Sequence, residues 1–144
     1  MDITIRSYEM QDAIAVASLI TKELGYNHST QQQVIARLRR FQVHPDYHML
    51  VALNQREIIG FVGLHKSMAY DFDEEYIEIT ALAVQEAYRN EKVARELLLG
   101  VEGYAQKRCI HRIVMNSRLE TPDAELFYKQ SGYEEKGYTF TKKI

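Results

Sequence analysis

The chain has 144 residues, 46% hydrophobic and 26% charged, with a formal charge of -2 at pH 7, which fits one soluble globular domain over 1–144. That charge, without a run of Lys and Arg long enough for a basic arm, gives no global attraction to nucleic acid, and no apolar stretch approaches the ~20 residues of a membrane span. The start, MDITIRSYEM, lacks a secretory pattern, and a single cysteine, Cys109, rules out an internal disulfide, so the expected location is cytoplasmic.

Ile3 and Ile5 alternate with polar neighbours and predict a first strand. Ala13, Ile14, Val16, Ala17, Leu19, Ile20 and Leu24 follow helical spacing, with Gly25 as the cap. Thr30 and Gln33 form a capping box for a second helix carrying Val34, Ile35, Leu38 and Phe41, and Pro45 stops it. Apolar runs at 49–53 and 58–64 flank Asn54-Gln55-Arg56-Glu57 as a hairpin, where Gly60 and Gly63 mark a bulge or close backbone approach.

After an acidic loop (Asp71, Asp73, Glu74, Glu75), YIEITALAVQEAYRNEKVAR at 76–95 runs from an apolar strand through a short turn into a helix. Arg89, Lys92 and Arg95 crowd its first turn, against the helix dipole, where acidic residues are preferred. A bound polyanion on the unpaired amides would account for them; a solvated basic turn on an ordinary crossover helix would also. Val93, Leu97, Leu98, Val101 and Ala105 keep one apolar stripe, and a short strand at 112–116 completes a strand–helix–strand crossover. Cys109 reads as a small packing residue in the turn between them.

Thr121-Pro122-Asp123 opens a last helix with Ala124, Phe127 and Tyr128 inward and Gly132 at its end. Segments 133–135 and 138–141 then pair as a final hairpin around Lys136-Gly137. The order β-α-α-β-β-β-α-β-α-β-β predicts an α+β fold, a mixed central sheet of about seven strands flanked by four helices.

Two stretches resemble the GNAT-type N-acetyltransferases, and the likeness spans essentially the whole chain. Arg89-Asn90-Glu91-Lys92-Val93-Ala94 is similar to the family's acyl-CoA motif, Arg/Gln-x-x-Gly-x-Gly/Ala, at a helix start. Ala124-Glu125-Leu126-Phe127-Tyr128-Lys129-Gln130-Ser131-Gly132-Tyr133 is similar to its A-x-x-F-Y-x-x-x-G-[F/Y] signature. Lys92 stands where the family has its first glycine, and Asn90 departs at another common glycine position. A lysine there adds a Cβ, but its ammonium can meet a phosphate directly, while Glu91 would repel one.

The resemblance implies transfer of an acetyl group from acetyl-CoA to a primary amine of a small molecule or peptide, by direct attack and without metal. Arg89, Asn90, Glu91, Lys92, Val93, Ala94 and Arg95 would hold the diphosphate, with Lys129 also in the cofactor set. The main chain of Leu82, Ala83 and Val84 would polarise the thioester and pair with the pantetheine arm. Glu78, a carboxylate inside an apolar strand, would be the base, or else a salt-bridge partner. Tyr128 would donate a proton to the departing sulfur, or else pack in the core. The competing class is a non-catalytic acyl-CoA-binding sensor or partner subunit with a degenerate diphosphate loop. The acidic loop would favour a cationic acceptor, and relatives of this kind lead to a homodimer as the expected assembly. His44 and His48 lie four apart, but Pro45 between them breaks the helix a metal pair would need.

Overall fold

The computed structural model describes residues 2–25, 28–89, 92–116, 122–137 and 140–144, with 122–125 as backbone only. In chain order the elements are β1 (Ile3–Ser7), a 3-10 turn Met10–Asp12, α1 (Ala13–Glu23), α2 (Gln31–Val43), β2 (Tyr47–Asn54) and β3 (Glu57–Met68). There follow β4 (Glu75–Val84), a 3-10 turn Glu86–Tyr88, α3 (Lys92–Lys107), β5 (Ile113–Met115) and α4 (Pro122–Gln130). The sheet runs β1-β2-β3-β4-β5, antiparallel except for the parallel β4–β5 pair that α3 connects.

Local signals act where the sequence puts them. Thr30 Oγ1 accepts from the Gln33 N–H at 3.2 Å while Gln33 Oε1 accepts from the Thr30 N–H at 2.8 Å, the reciprocal box that starts α2. Gly25 ends α1 in the left-handed region, φ +69. The apolar stripe of α3 is buried residue for residue (Val93, Leu97, Leu98, Val101, Ala105), packed on a sheet face that presents Ile59, Val62, Leu64, Ile77 and Ile79. Gly60 permits this approach, since a Cβ there would stand 3.0 Å from Leu97 Cδ1 and from Val93 Cγ1. On the opposite face α1 and α2 bury Val16, Leu19, Val34 and Leu38 against Met49, Val51, Phe61 and Ala83. The sheet is therefore covered on both faces, and Phe127 of α4 joins the α3 side.

Two expectations are corrected. The predicted sheet has about seven strands, but five form among the described residues; 133–137 and 140–144 contribute none, and 138–139 lie outside the described residues. The β5 template is only three residues long, which leaves little ladder for a sixth strand. The Tyr133 N–H is spent on the Tyr128 carbonyl at 3.1 Å, closing α4 instead of entering a sheet, and Lys136–Glu134 (3.5 Å) and Lys129–Glu135 (4.0 Å) keep the charged segment at the surface. Cys109 is exposed and does not pack: it holds the left-handed position after α3 (φ +57), where Ile110 N–H closes back onto the Ala105 carbonyl at 2.9 Å. The expected cap Thr121 lies outside the described residues.

Candidate active site

The site is organised by the unequal partners of β4. β3 pairs along its whole length, whereas β5 meets only Ile77, Glu78 and Ile79. Among the described residues no strand pairs with β4 beyond Ile79 on that side. Gln85 N–H donates to the Ile59 carbonyl at 2.8 Å, so Val84↔Gly60 is a pair whose own amide groups turn away from β3. Alternation then turns the N–H and C=O of Leu82 outward as well, and those of Ala83 inward onto Phe61. The result is a short length of strand with outward main-chain donors and acceptors, one residue apart in the ladder, where the sheet has opened.

A bulge sits at the same place. The register shifts between Gly63 and Leu64, which leaves Thr80 as an extra residue in β4. Its effect is visible in the packing: Ile77, Ile79, Leu82 and Val84 face α3, whereas Ala81 and Ala83 face α1 and α2. Glu78 thereby projects on the α1–α2 side of the sheet, in a cross-strand row with Tyr47 and His65, whose rings lie 4.5 Å apart. Its carboxylate is half-buried and accepts from Asn116 Nδ2 at 3.4 Å, so a side chain just past β5 orients it.

Of two cavities, one reaches β4 and the other lies beyond β5. One, of about 230 Å³, lies between α1, α2 and the sheet and reaches Thr80 and Ala81. The other, of about 1020 Å³, lies between β5, α3 and the segment from α4 onward, and is lined by Tyr128, Lys129, Asn116 and Tyr133. Tyr128 is half-buried, with its ring 5.5 Å from its neighbour Phe127, and lines this cavity. Tyr133 is pushed up to about 12 by burial, with smaller contributions from Glu102 and Tyr128; its hydroxyl has no hydrogen-bond partner among the described residues.

The basic turn differs from the sequence expectation. α3 begins at Lys92, so Arg89 precedes the helix and is not in its first turn. Arg89 donates from Nε to the outward Val84 carbonyl at 3.3 Å and forms an ion pair with Glu23 from the last turn of α1. Glu23 also accepts from the Glu86 N–H at 3.3 Å, tying α1 to this turn. Lys92 and Arg95 are exposed in the first turn, Ala94 is half-buried, and Val93 is buried so that only its main chain can face a ligand. Asn90 and Glu91 lie outside the described residues.

The fold thus places Glu78, Leu82, Ala83 and Val84 along one strand that leads to the start of α3, while Tyr128 and Lys129 line a separate cavity beyond β5 that no residue of β4 lines. The bulge expected at Gly63 is present as the register shift between Gly63 and Leu64 that leaves Thr80 extra. The sequence did not disclose Glu23 or Asn116. Glu23 carried a weak signal, a carboxylate in the last turn of a helix where it opposes the dipole. Asn116 carried none, because its role depends on pairing across strands. The acidic loop 71–75 lines neither cavity; Phe72 instead stacks under the Arg112 guanidinium at 3.8 Å. Among the described residues no group of three or more His, Cys, Asp or Glu is placed to hold a metal, and no helix is long and apolar enough to cross a membrane.

Known proteins share the family and the fold. The family model described as Acetyltransferase (GNAT) family matches residues 13–133. An aminoalkylphosphonate N-acetyltransferase of Salmonella typhimurium is 27% identical over 129 residues, covering 90% of this chain and 80% of that protein. A GNAT family acetyltransferase of Staphylococcus aureus superposes with TM-score 0.80 at 23% identity, over 100% of both chains. A transcriptional regulator from Bacillus halodurans does so with TM-score 0.90 at 18% identity, over 99% of this chain and 100% of that one. At those identities the two structures speak for the fold alone.

Proposed function

The chain belongs to the acetyltransferase (GNAT) family, and from that premise we propose that it transfers the acetyl group of acetyl-CoA to a primary amine by direct attack. The observation that carries this reading is the outward main chain of β4 at Leu82 and Val84, left without a strand partner among the described residues. A pantetheine arm is an amide chain, and such an edge suits it as a partner strand. The first turn of α3 supplies amides at the positive helix end, with Lys92 and Arg95, for a diphosphate. Arg89 can add to that charge once it leaves Glu23. Lys129, at the wall of the larger cavity, adds a further cation toward the same ligand.

Acetyl-CoA supplies the activated acyl carbon, with a thiol as leaving group. An outward N–H of β4 stabilises the charge that develops on the thioester oxygen. Glu78, held by Asn116, takes the proton released as the amine nitrogen bonds to the acyl carbon, directly or through a water. Tyr128 donates to the sulfur as the C–S bond breaks, so that thiol and amide are the two products. The acceptor is a small molecule or peptide; the name of the Salmonella relative, an aminoalkylphosphonate N-acetyltransferase, supports a small one. A cytoplasmic homodimer completes the proposal.

Calorimetry with acetyl-CoA, followed by an amine panel read by free thiol, tests it. We expect binding, amine-dependent thiol release, and a roughly 100-fold lower kcat in Tyr128→Phe with unchanged thioester affinity. Absence of thioester binding at millimolar ligand refutes the reading. Binding without thiol release for any amine would mark the chain as a non-catalytic acyl-CoA binder.

A further inference from the structure

The cavity between α1, α2 and the sheet opens onto β4 at the Thr80 bulge, one cross-strand row from Glu78. Its roof is Ile20 of α1, Leu24 at that helix's C-terminal cap, and Leu38 and Phe41 of α2; its floor is Phe61 and Ala81. Among the described residues no carboxylate lines it, and the one formally charged lining residue is a cation, Arg37, whose Nη2 donates to Ser29 Oγ at 2.6 Å. We infer that the amine acceptor carries its amino group on a compact apolar body, alkyl or aralkyl, and bears no second cationic group. This rests on the acetyl-transfer reading above.

An apolar body placed here leaves water for an apolar wall, while its amino group points toward the bulge and Glu78. A polyamine, an aminoglycoside or a lysine-rich peptide would bring a second ammonium into a space with no counter-charge and one guanidinium, which is unfavourable twice over. The acidic loop that would have favoured such cations lines neither cavity. The volume of about 230 Å³ sets an upper size. Its depth at the sheet depends on Gly63, where a Cβ would stand 3.0 Å from Thr80 Oγ1 and 3.5 Å from Phe61 Cζ. A larger side chain at 63 therefore intrudes on the acceptor, which makes Gly63 and Phe41 the specificity positions.

The test uses the full chain, acetyl-CoA and a thiol readout, with n-alkylamines from propyl to octyl, phenethylamine, spermidine and kanamycin. We expect kcat/KM to rise about fourfold to tenfold per methylene until the cavity is filled and then to fall, with spermidine and kanamycin at least roughly 100-fold below the best apolar amine. Gly63→Val should shorten the preferred chain, and Phe41→Ala, at the cavity rim and safe for folding, should lengthen it. Spermidine or kanamycin as the best acceptor, or an unchanged length profile in Phe41→Ala, overturns the inference while leaving acetyl transfer intact. Should acetyl-CoA bind but no amine turn over, the transfer reading falls and calorimetry with phenethylamine decides the cavity claim. Saturable binding that weakens in Gly63→Val supports it, and no binding ends it.

Discussion

Asp12 is the group whose removal the structure prices most closely. It is 3% exposed, accepts from Arg6 Nη1 at 2.7 Å and Nη2 at 3.0 Å, and accepts from the Glu9 N–H at 2.8 Å. It thereby closes the turn that leads into α1, the roof of the smaller cavity. Asp12→Ala strips three donors of their acceptor, a change that typically costs about 3–5 kcal/mol. The Arg6 side chain is 30% exposed and can recover water, so the lower end, about 3 kcal/mol, applies. With an unfolding entropy of roughly 2.1 cal/mol/K per residue, that is a fall in Tm of about 10 °C for a chain of 144 residues. Burial alone would raise the Asp12 carboxyl, but the Arg6 hydrogen bonds, the Glu9 N–H and the Arg6 charge outweigh it and hold it below the ordinary range. A depressed folded value means that the stabilisation is complete above the unfolded value, near ~4, and is lost as pH falls through the folded one. Urea melts of wild type and Asp12→Asn from pH 7 to pH 3 should therefore converge on acidification. A loss below about 1 kcal/mol in Asp12→Ala at pH 7, or a wild-type advantage independent of pH, refutes the reasoning.

Three further outcomes follow from single contacts. Glu23→Gln, which releases Arg89 toward the diphosphate, should tighten acetyl-CoA about twofold to fivefold by calorimetry, and Arg89→Ala should weaken it; no change in either removes Arg89 from the ligand set. Cys109→Gly should raise stability by about 1 kcal/mol, seen as a higher Tm, because an exposed β-carbon at φ +57 gives no packing in return for its strain. Gly60→Val should lose about 1–3 kcal/mol or more in chemical denaturation, since even its Cβ falls 3.0 Å from Leu97 and Val93; a neutral result would mean that α3 can shift off the sheet.

The sequence by itself determined what is written in local periods and caps. The α3 stripe, the Thr30–Gln33 box, the Gly25 and Gly132 ends, the 54–57 hairpin and the strand–helix–strand crossover all depend on neighbours within a few residues, where side-chain direction follows from the backbone period. The family resemblance rested on the same kind of local pattern. Tertiary structure alone decided how far β5 follows β4, which face Glu78 takes, and that Glu23 reaches Arg89 from 66 positions away. It also decided that Cys109 turns outward and that the Tyr133 N–H closes α4, with no strand among the described residues after Gly132. The physical reason is common to all of these: a ladder register or an ion pair between distant segments is set by how the layers pack, and no window of contiguous residues contains both partners.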